Sequence, residues 1–199
     1  MIAKRKKTSL RLVHTLSAAR GVGPCIVSPA HGRFPRDIAD ALALAPIHNV
    51  NELLLASCTS PAPPAAEIYA GIFAADPFAL WVDVRDRLQQ CDIAGVANFP
   101  SITAISGQLG TSLGSLGFGL ADEMRRLQWF ADQGFSVAAA VRSVADLASV
   151  LNIDPRIVIV LEDWGLLGKR DLRDLRDTLA ARRTDVFRFD ASSLTFEPF

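Results

Sequence analysis

Apolar residues along this chain fall into short β-branched runs that alternate with stretches of helical spacing. Runs over 24–28, 67–73, 92–97, 135–141, 156–161 and 185–189 read as strands. Ile157-Val158-Ile159-Val160 is apolar at every position, the pattern of a parallel strand covered on both faces. The helical stretches are equally well marked. Asp76-Pro77 sets a capping carboxylate before a proline at a first helical position, and Leu80, Trp81, Val84 and Leu88 then share a face. Leu120, Met124, Leu127 and Ala131 stripe a helix over 120–133 that stops at Gly134. Ser143 and Asp146 have the spacing of a capping box for a short helix through Leu151. A last helix over 169–182 turns Leu172, Leu175 and Leu179 inward and leaves Arg170–Asp174 and Arg173–Asp177 pairs in solvent.

Repeated β-then-α units imply an α/β fold with right-handed crossovers, and a (β/α) barrel or an open doubly wound sheet satisfies them equally. Residues 1–23 read as a basic tail, Lys4 to Lys7, followed by a helix. Residues 24–199 read as one domain. Residues 57–66 are a proline-rich connector, too short to serve as a linker between separate domains. Between Gly107 and Gly119 stand five glycines, a stretch that suits a mobile loop, a lid hinge or close approach to a phosphate. It lacks the Gly-Lys-Ser/Thr of a P-loop.

Composition narrows the classes of partner. The chain has 199 residues, half of them hydrophobic, with 21 acidic and 21 basic side chains. That is enough for one filled core, and a neutral balance argues against nucleic acid as the main partner. No apolar run reaches the roughly 20 residues that cross a bilayer. Cys25, Cys58 and Cys91 form no CxxC pair and read as reduced thiols of a cytoplasmic protein. His14, His31 and His48 show no metal-ligand spacing.

In either α/β architecture ligands bind at the carboxyl ends of parallel strands. The residues there are polar while the strand interiors are not. Asp76 reads as a helix cap or as a substrate contact. Asn98 and Ser101 satisfy loop backbone or face a ligand. Glu162 and Asp163 are adjacent carboxylates that suit Mg²⁺ or a general base, although neighbouring strand residues face opposite ways. Arg33 and Arg142 suit a carboxylate or phosphate. His31 is a candidate acid or base, and Ser192 follows the last strand.

Several of these stretches together resemble one family. Ala70-Gly71-Ile72 through Asp76-Pro77, then Gly95-Val96-Ala97-Asn98-Phe99-Pro100, the glycine segment, and Gly117-Phe118-Gly119 before Asp122-Glu123-Met124 are similar to the phosphoenolpyruvate hydrolase-like TIM-barrel family, itself related to the phosphoenolpyruvate mutase and isocitrate lyase barrels. His31-Gly32-Arg33-Phe34 and Asp190-Ala191-Ser192-Ser193 resemble two of its turns. The resemblance implies a TIM-like barrel acting on a small phosphorylated or 2-oxo acid by Mg²⁺-assisted hydrolysis or lyase chemistry. Asn98, Glu162, Asp163 and His31 would be catalytic, Glu162 and Asp163 metal ligands, and Arg33, Asp76, Ser101, Arg142 and Ser192 substrate contacts. Departures pull the other way. The family's opening Gly-Ala-Gly-Thr-Gly strand end is missing, its acidic residue after the Asn-Phe-Pro turn is Ser106 here, and 199 residues fall short of the about 250 of a full barrel. The expectation is an incomplete barrel of six or seven parallel strands, its open edge covered by the N-terminal helix or by another subunit, identical or different. The alternative function is a catalytically degenerate barrel that binds a ligand or a protein.

Overall fold

The computed structural model describes residues 9–45, 47–63, 67–143, 146–161, 179, 182 and 184–198. Eight strands form one sheet in chain order: β1 (Arg11–Val13), β2 (Cys25–Val27), β3 (Ile68–Ile72), β4 (Gly95–Asn98), β5 (Ser136–Val141), β6 (Ile157–Val160), β7 (Asp185–Asp190) and β8 (Thr195–Pro198). The first seven pair in parallel. The eighth returns antiparallel onto β7, with Phe196 opposite Phe189. Strands β1 and β8 come alongside each other without sharing a ladder among the described residues. The result is the expected incomplete TIM-like barrel, with seven parallel strands, and not an open doubly wound sheet. Around it lie α1 (Arg36–Ala43), α2 (Val50–Ser57), α3 (Trp81–Gln90), α4 (Gly107–Ser115), α5 (Leu120–Asp132) and α6 (Leu147–Val150).

Alternation along each strand divides the apolar residues into two cores, because successive side chains point to opposite faces of a sheet. Ile26, Tyr69, Ala97, Ala138, Ala140, Ile157, Ile159 and Phe187 pack together inside the barrel. Their neighbours Val27, Ala70, Val96, Ala139 and Val158 face outward, against Leu54, Leu88, Leu127 and Phe130 of the helices. Both faces of the sheet are therefore apolar, as the unbroken IVIV run predicts.

Gly71 and Gly95 are required by space. A Cβ on Gly71 would lie 2.5 Å from the Phe99 carbonyl oxygen and 2.9 Å from that of Val27. One on Gly95 would lie 2.8 Å from the ring of Tyr69, whose bulk fills the lower barrel.

The structure corrects several expectations. Residues 9–21 are no helix: Leu10 and Leu12 pack with the interior core while Val13 packs outside, a period of two, and the stretch forms β1 followed by a short 3-10 turn at Ser17–Ala19. The N-terminal segment thus belongs to the barrel wall and does not cover a gap. The helix expected at Asp76 begins only at Trp81. Val84 and Leu88 are buried as expected, but Leu80 is 70% exposed. Some of the glycine-rich stretch is helical, as α4. Helices α1 and α2 and strand β8 come in addition to the expected elements, although Ile38, Ala39, Leu42 and Ala43 of α1 stand at helical spacing. The expected helix over 169–182 lies mostly outside the described residues, although Leu179 is buried against the outer core.

The steric role of Gly71 is testable. Gly71→Ala should lower stability by about 1–3 kcal/mol, since the two atoms nearest the new methyl group are backbone oxygens. An unchanged urea midpoint would show that the wall can give.

Candidate functional site

The ladder between β4 and β5 runs as far as Ala97 opposite Ala138. Beyond it the Asn98 side chain takes over. Its Oδ1 accepts from the Ala140 N–H at 2.7 Å and its Nδ2 donates to the Ala140 carbonyl at 2.9 Å, so the amide mimics one more backbone pair. The same Nδ2 donates to Glu123 Oε2 at 2.7 Å. Ser101 Oγ donates to that oxygen at 2.6 Å, and the Ile102 N–H donates to Glu123 Oε1 at 2.9 Å. Asn98, Ser101 and Glu123 are all buried.

Glu123 reaches this place because α5 presents Glu123, Leu127 and Phe130 on one inward stripe, three and four residues apart. By sequence it passes for an ordinary helix residue. The one available signal is a carboxylate at a spacing that otherwise marks the buried face. Burial pushes its carboxyl up to about 7, against the hydrogen bonds from Ser101, the Ile102 N–H and Asn98 that favour the ionised form; the neighbouring Asp122 charge adds to the rise. The protonated acid still fits: it can donate to Ser101 Oγ, which is 2.8 Å from Thr103 Oγ1.

Among the described residues, four rings cluster at the barrel axis. Phe99 stacks on His31 with ring centres 4.9 Å apart, and meets Phe189 edge-on at 4.8 Å and Phe196 at 5.7 Å. All four rings are buried. His31 Nδ1 lies 2.7 Å from Ser28 Oγ, at the end of β2. Gly32 lets His14 approach this turn, since a Cβ there would lie 2.6 Å from the His14 Cβ.

The remaining candidates are spread around the rim. Asp76 accepts from Asn51 Nδ2 at 3.0 Å and from the Phe78 N–H at 2.9 Å, while Asn51 also pairs with both the N–H and the carbonyl of Phe73. It organises the turn after β3. Ser192 donates to Asp190 in the β7–β8 hairpin. Hydrogen bonds from the Ser192 and Ser193 hydroxyls and the Ser192 N–H hold the Asp190 carboxyl down at about 2. Arg33 stands exposed on a 3-10 turn. Arg142, just past β5, lines a cleft of about 400 Å³ with Thr103, Thr111, Asp146 and the backbone of Gly107 and Gly110. Glu162 and Asp163 lie outside the described residues.

No three His, Cys, Asp or Glu side chains gather to hold a metal among the described residues. Asp76, Glu123 and Asp190 are each held by hydrogen-bond donors. Among the described residues no helix is long and apolar enough to cross a membrane.

The buried network makes two predictions. Asn98→Ala should cost about 2–4 kcal/mol, because it strands the Ala140 N–H and carbonyl; a loss under 1 kcal/mol in urea unfolding would refute that assignment. For Glu123, between the ordinary carboxylate range and about pH 7 the folded chain keeps a proton that the unfolded chain has released. Unfolding then releases a proton, so this residue's contribution to stability declines as pH rises through that window and levels off above it. Urea midpoints from pH 5 to 8 should show that slope in the native chain and lose it in Glu123→Gln. Equal slopes would count against the buried acid.

Known proteins bear on this site in three ways. A relative from Sinorhizobium fredii (strain NBRC 101917 / NGR234), "Uncharacterized protein y4oT", is 40% identical over 104 residues, which is 52% of this chain and 53% of that protein. The match thus spans about half the relative's length. Among solved structures, 2-keto-3-deoxy-6-phospho-gluconate aldolase from Zymomonas mobilis ATCC 29191 aligns over 92% of this chain and 71% of its own, with a TM-score of 0.39 and 12% identity. The family model described as phosphoenolpyruvate hydrolase-like matches residues 16–182, taking in β2 to β6, the Asn98–Glu123 network and the Arg142 cleft, and the chain belongs to that family.

Proposed function

We propose that this chain binds a small phosphorylated or 2-oxo acid in the cleft beside Arg142, off the barrel axis, as a ligand-binding module whose central catalytic mouth has been filled in. One observation carries this reading: the axis is closed by His31, Phe99, Phe189 and Phe196, while the neighbouring cleft is open and lined by an arginine. A guanidinium recognises a carboxylate or phosphate by paired charge-assisted hydrogen bonds. The Thr103 and Thr111 hydroxyls and the α4 backbone add neutral partners, and about 400 Å³ suits a molecule of this size. The ligand class comes from the family.

A second reading, Mg²⁺-assisted hydrolysis or lyase chemistry, has one feature in its favour. Glu162 and Asp163 follow directly on Leu161, just past the end of β6, where a barrel enzyme carries its functional groups.

Titration calorimetry with phosphoenolpyruvate, phosphonopyruvate and oxaloacetate tests the first reading. At least one should bind, Arg142→Ala should weaken it tenfold or more, about 1.4 kcal/mol, and Arg33→Ala should leave it unchanged. Absence of binding, or indifference to Arg142, would refute the cleft. Pyruvate release from the same compounds, dependent on Mg²⁺ and lost in the Glu162→Gln, Asp163→Asn double variant, would establish the second reading instead.

A further inference from the structure

A chain of hydrogen bonds leads out of the buried network to the wall of the Arg142 cleft. Ser101 Oγ lies 2.6 Å from Glu123 Oε2 and 2.8 Å from Thr103 Oγ1, and Thr103 lines the cleft beside Ile102. The Ile102 N–H donates to Glu123 Oε1 at 2.9 Å. Ser101 Oγ also accepts from the Thr103 N–H at 3.2 Å, which holds the two hydroxyl side chains together on one turn. Two hydroxyls thus join a fully buried carboxyl to a residue of the cleft wall.

Each hydroxyl has a single proton, so the chain points one way at a time. With Glu123 ionised, Ser101 donates to the carboxylate, Thr103 donates to Ser101, and Thr103 has only lone pairs left for a ligand. With Glu123 protonated, its O–H donates to Ser101, Ser101 donates to Thr103, and the Thr103 proton is free for a ligand. We propose that Glu123 is a positioning residue of the cleft, setting through Ser101 and Thr103 whether the wall offers a donor or an acceptor. An anionic oxygen needs the donor, so a phosphorylated or 2-oxo acid binds together with one proton, which passes from solvent to the Glu123 carboxylate. This role rests on the Arg142 cleft as the ligand site and adds the residue that controls it. The groups facing the carboxyl are Asn98 from β4, Ser101 and the Ile102 N–H from the turn after it, and Asp122 on its own helix. Asp122 is the one charge among these and pairs with Arg125, while the cleft brings Arg142 and Asp146. Burial lifts Glu123 to about 7, so both states of the chain are populated near neutral pH.

Calorimetric titration with phosphoenolpyruvate, phosphonopyruvate and oxaloacetate from pH 5 to 8 reads this linkage. Relative to Glu123→Gln, native affinity should fall about tenfold as pH rises through that range, the worth of one hydrogen bond to a charged group. The ligand's own titration is common to both chains and drops out of the comparison. Thr103→Val removes the last hydroxyl and leaves Glu123 in place. It should bind weakly at every pH and lose the native slope in affinity, while its urea midpoint keeps the pH slope of the native chain. Thr103→Ser should restore the native profile, which a merely structural role for Thr103 would not require. A native slope that Thr103→Val or Glu123→Gln retains, or binding with no such slope, would overturn this role and leave the cleft standing. No binding of any of the three at any pH would overturn both.

Discussion

The buried contact between Asn98 and Glu123 holds four pieces of this barrel in register. Asn98 belongs to β4, its amide completes the pairing with β5 at Ala140, and Glu123 brings α5 to the same point while gripping the turn at Ser101 and Ile102. Groups buried this deeply must find partners, and these satisfy one another. The Asn-Phe-Pro motif at a strand end is therefore explained first by architecture. The amide fastens two strands, the phenyl ring joins the aromatic cluster over the axis, and Ser101 starts the turn that carries α4 outward.

That fastening also sets the packing over the barrel axis. With Phe99 held by its neighbours, Phe189 and Phe196 from the terminal hairpin pack against it, and His31 stacks on it while meeting the Phe189 ring edge-on. Aromatic rings favour such edge and offset contacts, and the four pack into one cluster over the barrel axis. The cleft at Arg142 survives because α4 has no buried residues and leaves space against the end of β5.

Closure of the barrel follows a different constraint. Seven parallel strands leave an edge on β1 and another on β7, and unpaired edges invite association. The β7–β8 hairpin pairs one of them. Asp190 sets its turn through the Ser192 and Ser193 hydroxyls, and Leu194 adopts a positive φ of 53° there. Strand β8 then comes alongside β1 and narrows the seam without completing the ladder.

The sequence by itself determined six of the parallel strands, the α/β class, the helical spacing of α5 and the stop at Gly134, because each depends on local periodicity or on backbone conformation. The family signature was legible for the same reason, as contiguous motifs in order. Tertiary structure decided the rest. Strand β1 carries Arg11 and β8 carries Glu197 and Pro198, so neither reads as an apolar run, and both take their place through pairing with a neighbouring strand. Glu123 has the local context of a surface carboxylate, and only the approach of Asn98 and Ser101 makes it a buried one. Asn98, Ser101 and Asp76 stand at strand ends by their position in the chain. Whether their polar atoms face a ligand or each other depends on residues 22 to 42 positions away. Contacts of that separation are set by packing, and no local pattern encodes them.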